Sequence, residues 1–290
     1  MNHPSGGIYA TACLSYTAPM SFLLDLLPLW GVFVLTTLVV SLSFELGFRV
    51  ANFMQRKQLA AGHELTSAGA ASVASSTLAL VAFVLAFTFG VAAERFNERR
   101  VLVVQEANAI STTYMRLDFL PDDKARKEVQ SLIRQYLKLR IQNANTRKDV
   151  ERLVNTAISL QGQIWTRTTT EVKSHLDSDV GALLIDSMNE MFDLQSERLV
   201  AFRARLPSTV WDALFLMLLV GLTATGYQCG LSRSRELPVT AMLVVAFGIT
   251  IMLIADLDRP MSGSLRVSRQ PLIDLDTQLS QQTEPATQGK

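Results

Sequence analysis

The sequence predicts an all-α membrane protein with four transmembrane helices and a helical soluble domain inserted between the second and the third. The mean hydropathy is positive, at +0.23, and charged residues make up only 18% of the chain. Four apolar runs are each long enough to cross a bilayer, since a helix needs only about 20 residues to do so. The polar segment between the second and third runs has helical periodicity and no alternating strand pattern.

The first apolar run predicts a transmembrane helix over residues 22–44, which begins a hairpin assigned to residues 20–93. Asp25 is its only charged residue, and Pro28 lies in the first turn, where its missing N–H costs little. Residues 1–19 contain Gly and Pro but no Lys or Arg, so they are predicted to be a disordered leader rather than a secretory signal. The sequence leaves open whether translation starts at Met1 or at Met20.

The second apolar run predicts a transmembrane helix over residues 68–93 and organises the rest of the chain. No Asp, Glu, Lys or Arg interrupts Leu65–Ala93, and charge begins abruptly at Glu94. No proline follows before Pro121, and apolar residues continue to recur at steps of three and four. We therefore expect this helix to extend well beyond the membrane.

Residues 94–208 are predicted to form the helical soluble domain, with apolar stripes on successive helices. Two further runs predict transmembrane helices over 209–231 and 237–255, which form a second hairpin within residues 209–257. The remaining residues, 258–290, are assigned to a C-terminal tail. Basic residues flank both ends of the hairpins, and the charge rule discounts long loops, so charge alone leaves the orientation open.

Several classes of function receive no support from the sequence. The net charge of +1 gives no basic surplus for nucleic acid, and two cysteines do not make a disulfide framework. The three histidines are scattered, and there is neither a metal-binding Cys/His spacing, a Gly-rich phosphate loop nor a nucleophile elbow. The sequence therefore predicts no catalytic residue, no cofactor and no metal site, and the protein is not expected to be an enzyme.

Several blocks, in order along the chain, resemble the bestrophin-like domain family, named for its similarity to bestrophin anion channels. They are Glu45–Arg49, Phe87–Arg100, Gln105–Ile110, Arg116–Pro121, Arg205–Pro207, Gly226–Gly230 and Asp256–Pro260. The resemblance implies a ring of identical subunits in a lipid membrane, with copies of the second helix around a pore for inorganic anions. It also implies that the helical domain lies in the cytoplasm, and we place the protein in the bacterial inner (cell) membrane on that basis.

One face of the second helix supplies the candidates for lining a pore. Its residues share a face at steps of three and four, and we call them the lining stripe: Ser76, Leu80, Phe83, Phe87, Gly90 and Glu94. In a ring, this stripe would give a small polar entrance, an apolar neck that can gate by dewetting, and a charged exit. The alternative is that Phe83 and Phe87 pack against neighbouring helices or lipid, as aromatic side chains in membrane helices usually do.

Charged residues at the ends of the second and fourth transmembrane helices are candidates for ion pairs between the two helices. We call them the junction charges: Arg95, Arg99, Arg100, Asp256, Asp258 and Arg259. Aspartates at the C-terminal end of a membrane helix oppose its dipole, so they need partners or water. The alternative is a solvated boundary, where exposed pairs contribute little.

Glu106, Asn108 and Arg116 are polar candidates on the extension of the second helix. They either cap or bond across the helical domain or shape an electrostatic vestibule, and charged helix residues more often have a structural or solvated role. Two functions follow from the whole sequence. One is a passive, chloride-type anion channel, and the other is a non-conducting, membrane-anchored interaction or assembly protein.

Overall fold

The computed structural model describes residues 26–60, 67–144, 146–173, 179–232, 235, 237–260 and 263–281. The predicted leader, the start of the first predicted helix, the three histidines and the last residues of the tail lie outside these ranges. The described residues form eight α-helices and no strand. The helices are α1 (Leu29–Ala60), α2 (Ser67–Arg116), α3 (Asp123–Ile141), α4 (Arg147–Lys173), α5 (Asp179–Arg203), α6 (Ser208–Leu231), α7 (Leu237–Asp258) and α8 (Gln270–Gln281).

Four stretches of the described residues are long and apolar enough to cross a membrane, and they lie in α1, in α2, across α5 and α6, and in α7. The predicted all-α fold with four membrane-spanning helices is thereby confirmed. α2 is 50 residues long, which corresponds to about 75 Å at the rise of an α-helix, against about 30 Å for a hydrocarbon core. Only the part up to Ala93 is free of charge, so the second helix extends beyond the membrane as predicted.

The chain divides into two compact units. The first unit comprises residues 1–92 and 205–256, and the second comprises residues 93–204 and 257–290. The first unit therefore holds most of the membrane-spanning sequence, and the second holds the inserted helical segment together with α8.

Glycines allow close packing of helices in the first unit. A Cβ built on Gly47 of α1 would lie 2.0 Å from the carbonyl oxygen of Thr223, and one on Gly226 of α6 would lie 2.0 Å from that of Phe44. Real Cβ atoms cannot approach a backbone oxygen so closely, so α1 and α6 are in direct backbone contact. Small residues favour such approach in membranes, where helices associate through van der Waals packing rather than through water exclusion.

Some hydroxyl groups of the membrane-spanning helices form hydrogen bonds within their own helix. Ser43 Oγ donates to the carbonyl of Val39 at 2.7 Å, and Thr88 Oγ1 donates to that of Val84 at 2.8 Å. A donor in lipid has no water to bond, so a carbonyl one turn back is its natural partner.

The second unit is a helical assembly around one apolar core. The core receives residues from the distal part of α2, from α3, α4 and α5, and from α8, including Ile110, Tyr136, Ile164, Met188 and Leu272. α3 is capped at its N-terminus by Asp122, whose side chain accepts a hydrogen bond from the backbone N–H of Lys124 at 3.0 Å. A short 3-10 helix, Leu117–Phe119, leads from α2 towards this start. α8 joins the unit because Leu272, Leu275 and Leu279 are all buried on its apolar face.

Candidate functional site

The lining stripe of α2 is exposed along its whole length in the single chain. Phe83 and Phe87 are 69% and 67% exposed, and Leu80 is 50% exposed. A Cβ built on Gly90 would have no neighbour within 4 Å. The opposite face of the same helix is buried, with Val81 and Leu85 as its core positions. α2 thus turns one face to its own unit and leaves the other for lipid, another copy of the chain or an ion path.

The lining stripe ends in charge. Glu94 is exposed and lies one turn beyond Gly90 on the same face of α2. The stripe therefore runs from a hydroxyl at Ser76, through aliphatic and aromatic side chains, to a carboxylate. That order is the one expected of a polar entrance, an apolar neck and a charged exit.

The junction charges are distributed unevenly. Arg99 is buried in the second unit, and its Nη2 donates to the carbonyl of Leu257, in the last turn of α7, at 2.7 Å. A cation at this end of a helix is favoured by the helix dipole. Asp258 and Arg259 are also buried, whereas Arg100 is exposed. Asp256 is buried in the first unit. The structure brings Arg99 to the end of α7 through a backbone carbonyl, and ion pairing by the aspartates stays a prediction.

The guanidinium of Arg95 has a hydrogen-bond donor that is buried without an acceptor in the described residues. Its Nη1 atom is buried and has no hydrogen-bond partner within the described residues. A guanidinium nitrogen withdrawn from water in this way loses hydration that must be replaced by an acceptor. Within an assembled membrane protein, that acceptor can come from ordered water, an ion or a neighbouring copy.

Glu106 lies at the centre of a buried ion-pair network. Its carboxylate is fully buried, and it accepts hydrogen bonds from Nε of Arg140, at 2.6 Å, and from Nη1 of Arg198. Burial alone would raise the pKa of Glu106, but the two guanidiniums outweigh burial and hold the pKa below its usual value. Glu106 therefore stays ionised and joins α2 to α3 and α5.

A neutral polar cluster lies beside this network. The hydroxyl of Tyr136 donates to Oε1 of Gln195 at 2.8 Å, and Nε2 of Gln161 donates to the same oxygen at 2.9 Å. Burial raises the pKa of Tyr136, and the negative charge of Glu106 raises it further. Tyr136 is therefore a neutral donor at physiological pH.

The three polar candidates on the extension of α2 have separate environments. Glu106 faces the core, Asn108 is exposed, and Nη1 of Arg116 donates to the carbonyl of Leu183 in α5 at 2.6 Å. They do not form one site. Sequence reasoning did not identify Arg140 and Arg198 as partners of Glu106. The available signal was the spacing of Leu102, Glu106 and Ile110, which places a carboxylate on the apolar side of the helix.

The described residues contain no group of three or more His, Cys, Asp or Glu side chains that could hold a metal ion. Several polar groups instead form bonds between helices, and the lining stripe is one of several exposed apolar faces. The arrangement can support helix positioning and, in an assembly, a path along α2.

A family model, the Bestrophin-like domain, matches residues 28–272. No curated protein matches the chain. Among solved structures, a single-residue variant of a bacterial bestrophin homologue from Klebsiella pneumoniae has a TM-score of 0.61 at 17% identity, covering 89% of this chain and 99% of that one. A second variant of the Klebsiella pneumoniae homologue has a TM-score of 0.61 at 15% identity, covering 88% and 98%.

A structure of this Klebsiella pneumoniae homologue solved by Zn-SAD phasing has a TM-score of 0.56 at 16% identity, covering 85% of this chain and 97% of that one. At such low identity the structural likeness shows the fold, whereas the family model covers most of the sequence. Together with its four apolar helices, these findings make the protein an integral membrane protein, and the chain belongs to the bestrophin-like domain family.

Proposed function

We propose that the chain assembles into a homo-oligomeric ring that works as a passive ion channel, with copies of α2 lining the pore. The observation that supports this most directly is the exposed lining stripe. An apolar helix face that its own chain leaves uncovered marks an interaction surface or a boundary with lipid. The stripe has a hydroxyl group at one end, aromatic rings in the middle and a carboxylate at the other end. A central ion path explains this order of side chains better than contact with lipid alone.

Phe83 and Phe87 form the proposed neck. Both rings are largely exposed in the single chain, so copies of them can meet around a symmetry axis without repacking the first unit. A hydrophobic constriction of this kind stops ions when it dewets. The unpartnered donor of Arg95 supports assembly independently, because a neighbouring copy is one source of its missing acceptor.

Chloride-type anions are the proposed permeant ions, by analogy with the channels for which the family is named. Cations are the second candidate because Glu94 is the exposed charged member of the lining stripe, and rings of carboxylates favour cations. We further propose that the second unit lies in the cytoplasm of a bacterial cell, next to the inner membrane.

A non-conducting assembly protein is the alternative, and the same aromatic stripe supports it, since exposed Phe side chains also suit helix packing. The two are separated by purifying the full chain, measuring the mass of the assembly and reconstituting it into vesicles with a chloride gradient. Conduction by an oligomer supports the channel. A monomer, or an oligomer that is silent across a range of voltages, supports the alternative.

Phe87→Ala tests the neck. Removing the ring from a constriction should raise conductance several-fold, because a wider neck wets more easily. Phe89→Ala is the matched control, since Phe89 lies on another face of the same helix and is only 39% exposed. Equal effects of the two substitutions would count against α2 as the lining helix in this register.

Glu94→Gln tests whether Glu94 faces the ion path, whereas the sign of the permeant ion is read from the reversal potential of the wild type. In an anion channel, removing the carboxylate should increase chloride selectivity, and in a cation channel it should lower cation selectivity. The measurement is the reversal potential under a potassium chloride gradient. Glu190→Gln, at an exposed position of α5, is the control for a general change of charge. An unchanged reversal potential would remove Glu94 from the ion path.

A further inference from the structure

Two arginines of the second unit bind one buried carboxylate, and two more lie in the segment that leads into α8. Arg140 and Arg198 bind Glu106 directly. Burial lowers the pKa of Arg269 from its usual value, and the like charges of Arg198, Arg140 and Arg266 lower it further. Arg269 also lies next to this pair by its own bond, because its Nη1 donates to the carbonyl of Ile141, the residue that follows Arg140. Glu106 supplies one negative charge to the two arginines that it binds.

The bonds of Arg269 position its guanidinium without neutralising it. Nη1 donates to the carbonyl of Ile141, at 3.3 Å, and to Oδ1 of Asn143. Both acceptors are uncharged. The C-terminal end of α3 offers about half a negative charge through its dipole, which offsets only part of one guanidinium. Part of the positive charge of Arg269 therefore remains without a countercharge.

Arg266 has even weaker partners. Its Nε donates to the carbonyl of Gly263 at 3.4 Å, which is long for a hydrogen bond, and its side chain is exposed. Arg266 and Arg269 are three residues apart in the segment that leads into α8. Both thus belong to one short stretch of chain, which is bonded to the C-terminal end of α3 through Arg269.

The site is reachable from water. The side chains of Arg140 and Arg198 keep 14% and 17% of their exposure, whereas that of Glu106 keeps none. Each guanidinium has five N–H donors, and the bonds to Glu106 use one donor from each of these two arginines. N–H donors and positive charge are therefore left over on side chains that solvent still reaches.

We propose that Arg140, Arg198, Arg266 and Arg269 form a binding site for an anion that carries a phosphate group. The planar guanidinium fork matches phosphate oxygens in a bidentate arrangement. A doubly charged phosphate would offset the positive charge of the arginines that the carboxylate of Glu106 does not balance. Because the arginines come from α3, α5 and the segment before α8, a bound phosphate would tie these elements together. The site is independent of ion conduction.

Inorganic phosphate is the first probe, added to the full-length protein in detergent at constant ionic strength. Calorimetry should show saturable binding, and the melting temperature should rise with phosphate, because a ligand that binds only the folded state stabilises it. Arg266→Gln and Arg269→Gln should each weaken the affinity about tenfold, as expected for loss of one charge-assisted contact.

Arg266→Gln is the more decisive variant, since it removes an exposed side chain with one long bond and should leave the fold intact. Arg167→Gln is the matched control. Arg167 is an exposed arginine that is paired with Glu128 at 3.7 Å, so its loss should leave phosphate affinity unchanged. Equal affinity in wild type, R266Q and R269Q, or equal loss in R167Q, would overturn the proposal.

The source of the phosphate group is tested with lipid nanodiscs. If the melting temperature is higher in phosphatidylglycerol than in phosphatidylcholine, and this difference is lost in R266Q, the site binds a lipid headgroup. Saturable binding of inorganic phosphate in lipid-free detergent, lost in the same variant, would assign it to a soluble phosphate compound. Absence of both effects would refute the site whether or not the protein conducts ions.

Discussion

The two halves of α2 use their distinctive residues in opposite ways. In the first half, the lining stripe is exposed, and its rings and its terminal carboxylate have no cover from the chain itself. In the second half, Glu106 is fully buried, and both of its oxygens are bonded to arginines of neighbouring helices. The lining stripe is therefore open to groups outside the chain, whereas the charge of Glu106 is paired within its own unit.

The largest expected effect is that of Glu106→Gln. The substitution keeps the shape of the side chain but leaves Arg140 and Arg198 partly buried without a countercharge. Breaking a buried pair in this way costs about 3–5 kcal/mol. Thermal unfolding of the full-length protein in detergent measures the loss. Glu98→Gln, at an exposed position of the same helix, is the control and should change stability by less than about 0.5 kcal/mol. Equal stability of the two variants would show that the network contributes little.

Acidic pH should reproduce part of the loss of stability expected for Glu106→Gln. Burial opposes ionisation of Glu106, but its arginines hold the pKa below the usual value. A carboxylate with a depressed folded-state pKa contributes its full stability above the unfolded pKa, about 4.3 for Glu, and loses it as pH falls through the folded pKa. The stability difference between wild type and E106Q should therefore be constant between neutral pH and about pH 5 and shrink in more acidic buffer. A difference that already shrinks between neutral pH and pH 5 would mean that the pKa is raised instead.

Closely packed glycines should give the next largest effect, in the first unit. Gly226→Ala places a Cβ 2.0 Å from the carbonyl oxygen of Phe44, and Gly47→Ala places one at the same distance from that of Thr223. Backbone atoms cannot yield as a side chain can, so α1 and α6 must separate at a cost of about 1–3 kcal/mol. Gly69→Ala is the control, because a Cβ there meets nothing within 4 Å. A neutral result at Gly226 would mean that the two helices tolerate a wider separation.

Much of the fold could be predicted from the sequence because lipid imposes a simple rule. A long run without charge, such as Leu65–Ala93, has few other uses than a transmembrane helix. The extension of α2 followed from the absence of proline before Pro121 and from continued helical spacing. These features depend on local chemistry, which a single sequence contains.

The Glu106 network could not be predicted in the same way. Arg140 and Arg198 are distant from Glu106 in sequence, and their approach depends on how α3 and α5 pack against α2. Charged residues on helices are usually exposed, so the general expectation favoured surface roles for most of them. The surplus of arginines around Arg269 was also hidden, because its members come from separate helices and from the segment before α8.

The smallest expected effect comes from removing one uncharged tyrosine hydroxyl in each unit. Tyr136→Phe removes the hydrogen bond to Gln195 but leaves Gln161 bonded to the same oxygen, so the acceptor stays satisfied. The expected loss of stability is about 0.5–1.5 kcal/mol, the usual contribution of one hydrogen bond. Tyr227→Phe is the matched change in the first unit, where the hydroxyl has a weak contact with Sδ of Met54 at 3.8 Å. We expect the melting temperature of the full-length protein to fall for Y136F and to stay unchanged for Y227F. A larger loss for Y227F would mean that the first unit also relies on its internal polar contacts, against the contrast drawn between the two halves of α2.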